Sequence, residues 1–247
     1  MPAGVVFDNL ADRGTISASS SEILARPDRV QNEHVARRWR SLSAADTLIV
    51  DLGMPMAVDT VALLGLSAVT ARCRISADDP NGADLYDSGI LTVSQAHRQS
   101  VFVLPASVVA RYVAFDLTSA AAFVEVGRAV VGSRSTFHYN FSYGWGFAYA
   151  DLSRKARTRG GQTQVSRESR YRTLDMSFDF ITKADRDGFV DAIDRENGLS
   201  RDVLFVTDPQ SADLARDTVW GLLTETTPVI QPYFDIFSKT YRIEERL

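Results

Sequence analysis

One cysteine in 247 residues, Cys73, is too few for a disulfide or a thiolate metal cluster. Its run Ala71-Arg72-Cys73-Arg74-Ile75 reads as a strand with a buried structural thiol. Histidine is nearly as scarce. His34, His97 and His138 have no His or Glu partner at helical metal-ligand spacing, so neither a metal nor another cofactor is expected. Lysine is limited to Lys155, Lys183 and Lys239 among 27 basic residues, and 31 acidic residues leave a formal charge of −4. A chain without a global positive field is a poor duplex binder, so nucleic acid is not an expected partner. No apolar run approaches the ~20 residues that span a bilayer, and the start Met1-Pro2-Ala3-Gly4 lacks the basic and apolar regions of a signal peptide. Both absences predict a soluble protein made in the cytoplasm, with no membrane partner.

Catalytic signatures are missing as well. No Gly-x-Ser-x-Gly elbow or phosphate loop occurs; Gly144-Trp145-Gly146 fits neither, and Gly160-Gly161 precedes no Lys-Ser/Thr. The acid pairs Asp78-Asp79 and Glu244-Glu245 supply carboxylates of the kind a glycosidase uses, but adjacent acids in turns are ordinarily solvated. The expectation is therefore a protein that is not an enzyme, with no catalytic residues to assign.

What is present is ordinary globular composition, 45% hydrophobic and 23% charged, patterned mostly for strand. Thr47 to Gly53 and Val58 to Leu64 are short β-rich runs, and similar runs recur at 71–76, 100–104, 111–117 and 124–131. Asp78-Asp79-Pro80-Asn81-Gly82 supplies turn chemistry between two of them. No long helical pattern interrupts, which predicts an N-terminal jelly-roll β-sandwich over residues 1–132, entered through an irregular first 46 residues.

The remainder, residues 133–247, reads as an α+β module. Phe137, Tyr139, Phe141, Tyr143, Trp145, Phe147 and Tyr149 take every odd position of one stretch, which predicts an unbroken strand with an aromatic face. That face suits either a core or a contact with another subunit or a ligand. Residues 152–169 carry Arg154, Lys155, Arg157, Arg159 and Arg167 against Glu168 and are expected to form a solvated loop. Leu174, Met176, Phe178 and Phe180 alternate with polar residues as an amphipathic strand. Thr182 is positioned to cap a helix with Asp185 in a capping box, Phe189, Val190 and Ile193 form its apolar face, and Asn197-Gly198 end it. Strands resume at 202–207, 218–224 and 236–244.

Two resemblances follow from ordered fragments. Arg37-Arg38-Trp39-Arg40-Ser41, Leu48 to Gly53, Val58-Asp59-Thr60-Val61, Ala110-Arg111-Tyr112-Val113 and Val124-Glu125-Val126-Gly127 resemble the discoidin, or coagulation-factor C-type, family. That likeness implies a galactose-binding-like jelly roll that presents sugars or lipid head groups from loops at one end. The terminal cysteine pair of secreted members is missing here, and Tyr86 is the one aromatic in the loops at 26–34 and 78–89 placed to stack on a sugar, with Arg40 as a second ligand-binding candidate. Trp39 fits a core plug better than a ligand platform, and Arg111 is placed to pair with an acid such as Asp51.

The second half, with Arg159-Gly160-Gly161-Gln162, Arg170-Tyr171-Arg172, Thr218 to Leu223 and Tyr241-Arg242-Ile243-Glu244-Glu245, resembles bacteriophage tail-tip proteins of the distal-tail type, in reversed domain order. The resemblance implies a virion component at the tail tip, assembled in the bacterial host cytoplasm as a homo-oligomeric ring, a hexamer or alternatively a trimer. Its neighbours would be tail tube and hub proteins, and a host-surface glycan a possible ligand. Tyr139, Tyr143, Trp145, Arg154, Arg157 and Arg159 are the interface candidates. The competing reading is a carbohydrate-binding protein in which residues 1–132 bind a glycan and the rest is scaffold.

Overall fold

The computed structural model describes residues 2–246. The chain is mainly β, 49% strand and 10% helical, with several antiparallel sheets and one main helix. It divides into two compact units: the chain through Phe137 together with Val203–Thr218, and His138–Asp202 together with Val219–Arg246.

Two 20-residue strands, Ala45–Leu64 and Gln99–Thr118, dominate the first unit. They pair antiparallel from Ala45 opposite Thr118 to Leu64 opposite Gln99. The sheet runs in the order Arg128–Gly132, Ala45–Leu64, Gln99–Thr118, Thr70–Ser76, Tyr86–Asp87, with Thr15–Ala18 also against the first long strand. The sequence runs 47–53 and 58–64 are thus one strand, not two. Gly53 takes φ +77 and the register shifts between Asp51 and Met56 and again between Val58 and Thr60, so the ladder bends and continues where the turn residues suggested a stop. The runs 100–104 and 111–117 fuse in the same way around Pro105.

Alternation along these strands buries Leu48 and Val50 from one and Val113 and Phe115 from the other, around a fully buried Trp39. Trp39 donates Nε1–H to the Ser20 carbonyl at 3.2 Å, which satisfies its one polar atom and makes it the expected core plug. Cys73 is buried in the same core, and burial pushes its thiol far up, so it is inert packing. The irregular lead-in is tied down by Arg128 of the strand Arg128–Gly132, which is buried and donates to both Asp12 carboxylate oxygens, at 2.5 and 2.8 Å, and to the Gln31 carbonyl. Gly4–Val6 pairs with Ser135–Thr136 on one side and with Val203–Val206 on the other, so a late segment packs with the start of the chain.

In the second unit the strands run Thr218–Leu223, Ile236–Glu245, Arg170–Thr182, Gly146–Asp151. Residues 183–197 form the helix, three residues of α followed by two wider π turns. The Thr182 hydroxyl accepts from the Asp185 N–H at 3.1 Å, and Phe189, Val190 and Ile193 are buried as the pattern requires. The reciprocal half of the capping box is different. The Asp185 carboxylate accepts from the His138 N–H at 3.1 Å. Beneath the helix Lys239, 1% exposed at its side chain, donates to Asp194 at 2.7 Å and to the Thr227 carbonyl at 2.6 Å.

Three expectations for this half are corrected. The aromatic run is not one strand: Gly144 takes φ +100, and only Gly146–Asp151 is extended and paired. Residues 154–166 are not a plain loop but a hairpin, Arg154–Arg157 against Thr163–Ser166. Phe180 does not join the buried row of Leu174, Met176 and Phe178, because a bulge between Phe178 and Ile181 turns it outward and buries Ile181 in its place.

Candidate functional site

Arg40 and Tyr86 lie in the first unit with their polar or aromatic groups already engaged. Arg40, on the short strand Trp39–Arg40, donates to Glu125 Oε1 through Nε at 2.9 Å and Nη2 at 2.6 Å, and its guanidinium lies 4.4 Å over the Phe123 ring. Glu125 also accepts from Arg38 at 3.0 Å. Burial pulls the Glu125 carboxyl upward, but the hydrogen bonds and charges of Arg40 and Arg38 outweigh it and hold the group below the ordinary carboxylate range. Tyr86 is half-buried and packs against the jelly-roll core, which raises its phenol. On the other face of that sheet Arg111 is bidentate to Asp51, at 2.8 and 3.0 Å, the pairing expected from the sequence.

Sequence reasoning missed a groove of about 520 Å³ lined by Ile23, Leu24, Arg26, Asp28, Arg29, Gln31 and Asn32. It forms because Pro27 starts the short 3₁₀ turn Pro27–Gln31, while the preceding loop leaves Ile23 89% and Leu24 75% exposed. Arg26 and Asp28 pair across it at 2.5 Å. The Gln31 amide is spent on the Ala11 and Gly14 carbonyls, both at 2.8 Å, and Asn32 Oδ1 accepts from the His34 N–H, so what the groove offers is the Arg26 and Arg29 guanidinium groups and the Asp28 carboxylate beside an apolar rim. The signal in the sequence was Arg-Pro-Asp, legible as a turn but not as a concavity.

In the second unit Tyr139, Tyr143 and Trp145 are all exposed, as are Tyr149 and Phe180. Tyr139 meets Phe180 at 6.4 Å, and a separate set joins Phe141 to Trp145 at 5.0 Å, Trp145 to Phe147 at 5.2 Å and Phe141 to the buried Phe178 at 6.0 Å. The run is buried at Phe137 and exposed at Tyr139, Tyr143, Trp145 and Tyr149. Arg154, Arg157 and Arg159 sit on the hairpin and its tip, where every residue of 154–169 is exposed. Its internal bonds are the four-pair ladder and the Thr158–Gln162 turn. Among the described residues Arg154, Lys155, Arg157, Arg159 and Arg167 make no ion pair, and no group of three or more His, Cys, Asp and Glu is gathered for a metal. No helix is long and apolar enough to cross a membrane.

No protein family matches the sequence, and no curated protein matches it. Solved structures do show likeness. A Ruminococcus gnavus GH29 fucosidase in complex with fucose aligns at TM-score 0.45 and 12% identity over 52% of this chain, and the chain spans only 27% of that enzyme. The chitosan-binding module 1 of a Paenibacillus sp. IK-5 chitosanase/glucanase aligns at 0.42 and 20%, over 51% of this chain and 99% of the module. The lectin domain of lectinolysin complexed with Lewis B antigen aligns at 0.43 and 14%, over 52% and 98%.

Proposed function

We propose that the protein is a non-catalytic binding and assembly component, in which the first unit presents a glycan-binding groove and the second joins copies of the chain. The observation that carries the proposal is the pair of open surfaces, the groove at 23–32 and a basic arm with no buried residue. Neither surface gathers the titratable groups that a reaction needs. A sugar fits the groove chemically. Its hydroxyls accept from Arg26 and Arg29 and donate to Asp28, and its C–H face lies on Ile23 and Leu24. The similar structures named above are a fucosidase in complex with fucose, a chitosan-binding module and a lectin domain complexed with Lewis B antigen, but the assignment rests on the groove's own side chains. A glycan array probed with the full chain tests it: binding that is lost in Arg29→Ala supports the groove, and an array with no signal removes the glycan reading.

We further propose a more specific placement, taken from the tail-tip resemblance of the second half's sequence fragments: a ring at the tip of a bacteriophage tail with tail tube and hub proteins as neighbours. A two-stranded hairpin alone is marginal in water, so one held clear of its own unit is suited to being ordered by a partner. Light scattering and negative-stain images of the purified protein test this. Closed rings support it, and a strict monomer at every concentration overturns it.

A further inference from the structure

The groove at 23–32 is anchored on both sides. Val30 is fully buried beneath the turn and the Gln31 amide is clamped to the Ala11 and Gly14 carbonyls, so Arg29 projects from a stretch of backbone whose next two residues are fixed. Opposite, the Glu22 N–H donates to the Arg40 carbonyl at 3.0 Å and the Arg40 N–H to the Ala25 carbonyl at 3.1 Å. These bonds strap the loop carrying Ile23 and Leu24 to the strand Trp39–Arg40. A ligand entering a groove built this way pays little for ordering it.

The groove also holds an unanswered charge. The chain carries −4 as a whole, yet residues 22–40 hold five arginines against three acids, a net of +2. Arg38 and Arg40 are paired with Glu125, Arg40 also with Glu22 at 3.6 Å, and Arg26 with Asp28 at 2.5 Å. Among the described residues Arg29 and Arg37 make no ion pair, and of these two Arg29 lines the groove. The Arg29 guanidinium makes no hydrogen bond either, and Asn32, whose Oδ1 is taken by the His34 N–H, keeps its Nδ2 donors unspent. The groove's carboxylate is therefore neutralised by its own neighbour, while its second guanidinium is not. A neutral sugar leaves that charge as it is. An oxyanion meets it with two parallel N–H···O bonds in the fork geometry that only arginine offers.

We infer that the groove takes an acidic sugar, a pyranose bearing a carboxylate, sulfate or phosphate group that Arg29 grips in bidentate fashion while the ring's C–H face lies on Ile23 and Leu24. This narrows the glycan reading of the groove and rests on it. Arg29 is exposed, so the contact weakens as salt rises and shortens the Debye length below about 8 Å.

The test is a glycan array probed with the full chain, on which uronate-, sulfate- and phosphate-bearing glycans sit beside their neutral parents. Acidic glycans of at least one of the three kinds are expected to bind about tenfold tighter than their parents, the size of one charge-assisted pair, and to lose that margin in Arg29→Gln and at high salt. The kind that binds tightest identifies the source of the oxyanion. The Arg29 side chain bonds to nothing else, and an unchanged circular dichroism spectrum confirms folding of the variant. Neutral parents that bind as tightly as the acidic glycans overturn the inference, and if both are lost in Arg29→Gln the groove reading survives it. Acidic binding that persists in Arg29→Gln also overturns it, and loss of that binding in Arg154→Gln/Arg157→Gln/Arg159→Gln assigns the anion to the arm. An array with no signal removes the glycan reading and the inference together.

Discussion

Arginine pairs in this chain differ by what surrounds them, and their energies should differ accordingly. Arg128 is 2% exposed at its side chain and Asp12 is its carboxylate partner, whereas Arg111 and Asp51 both reach solvent. Asp12 is 39% exposed, but removing it leaves the buried Arg128 guanidinium without its carboxylate, so Asp12→Ala should cost about 3 kcal/mol, the low end for breaking a buried pair. Asp51→Ala leaves Arg111 hydrated and should cost about 1 kcal/mol or less. Urea unfolding of the two variants checks this, and equal losses would show that Arg128 is rehydrated when its partner goes. Residue types told part of this in advance. Arg111 beside Tyr112 pointed to Asp51, because long arginines on a polar strand face seek the nearest acid. Arg128 did not point to Asp12, because that contact joins an irregular lead-in to a strand 116 residues away.

Strand positions were legible wherever two-residue alternation ran without a defect, and the misreadings fall at bulges and left-handed glycines. Leu174, Met176 and Phe178 were placed correctly; Phe180 was not, since the bulge after Phe178 is a matter of pairing with Ile236–Glu245 that alternation cannot encode. The consequence is measurable. Phe178→Ala should cost about 3 to 5 kcal/mol, as deletion of a buried ring does, while Phe180→Ser should stay within about 0.5 kcal/mol. Equal costs would mean that the bulge is absent in solution. The hairpin at 154–166 was hidden for a different reason. Its residues alternate in no hydrophobic sense because both strands are exposed throughout, so composition alone read it as loop. The groove at 23–32 was hidden likewise: a concavity is a relation between loops, and only its turn was written locally.

At the scale of the whole molecule, acid sensitivity is lopsided. Carboxyls held below their ordinary range sit mainly in the first unit. Arg111 lowers Asp51 through its hydrogen bond, the Arg72 hydrogen bond lowers Asp87 strongly, and Arg216 lowers Asp217. Asp116 is raised by burial, but Arg74 and Thr47 outweigh this and leave it lowered, as Arg40 and Arg38 do for Glu125. In the second unit the Ser153 hydrogen bonds lower Asp151 to about 2. A carboxyl lowered by folding stabilises the native state fully above its unfolded value of about 4, and that contribution drains away as pH falls through the folded value. Both units should therefore be indifferent to pH between neutrality and about 5, and the first should weaken faster below about 4. The tryptophans separate the signals, since Trp39 lies in the first unit and Trp145 and Trp220 in the second. Thermal melts followed by fluorescence at pH 7, 4 and 3, in the wild type and in a Trp145→Phe/Trp220→Phe variant, should show the Trp39 transition falling more steeply with acid than the combined one. Transitions that fall in parallel would mean that these ion pairs, though well formed, are exposed enough for solvent to replace them, leaving the acid response to the molecule's net charge alone.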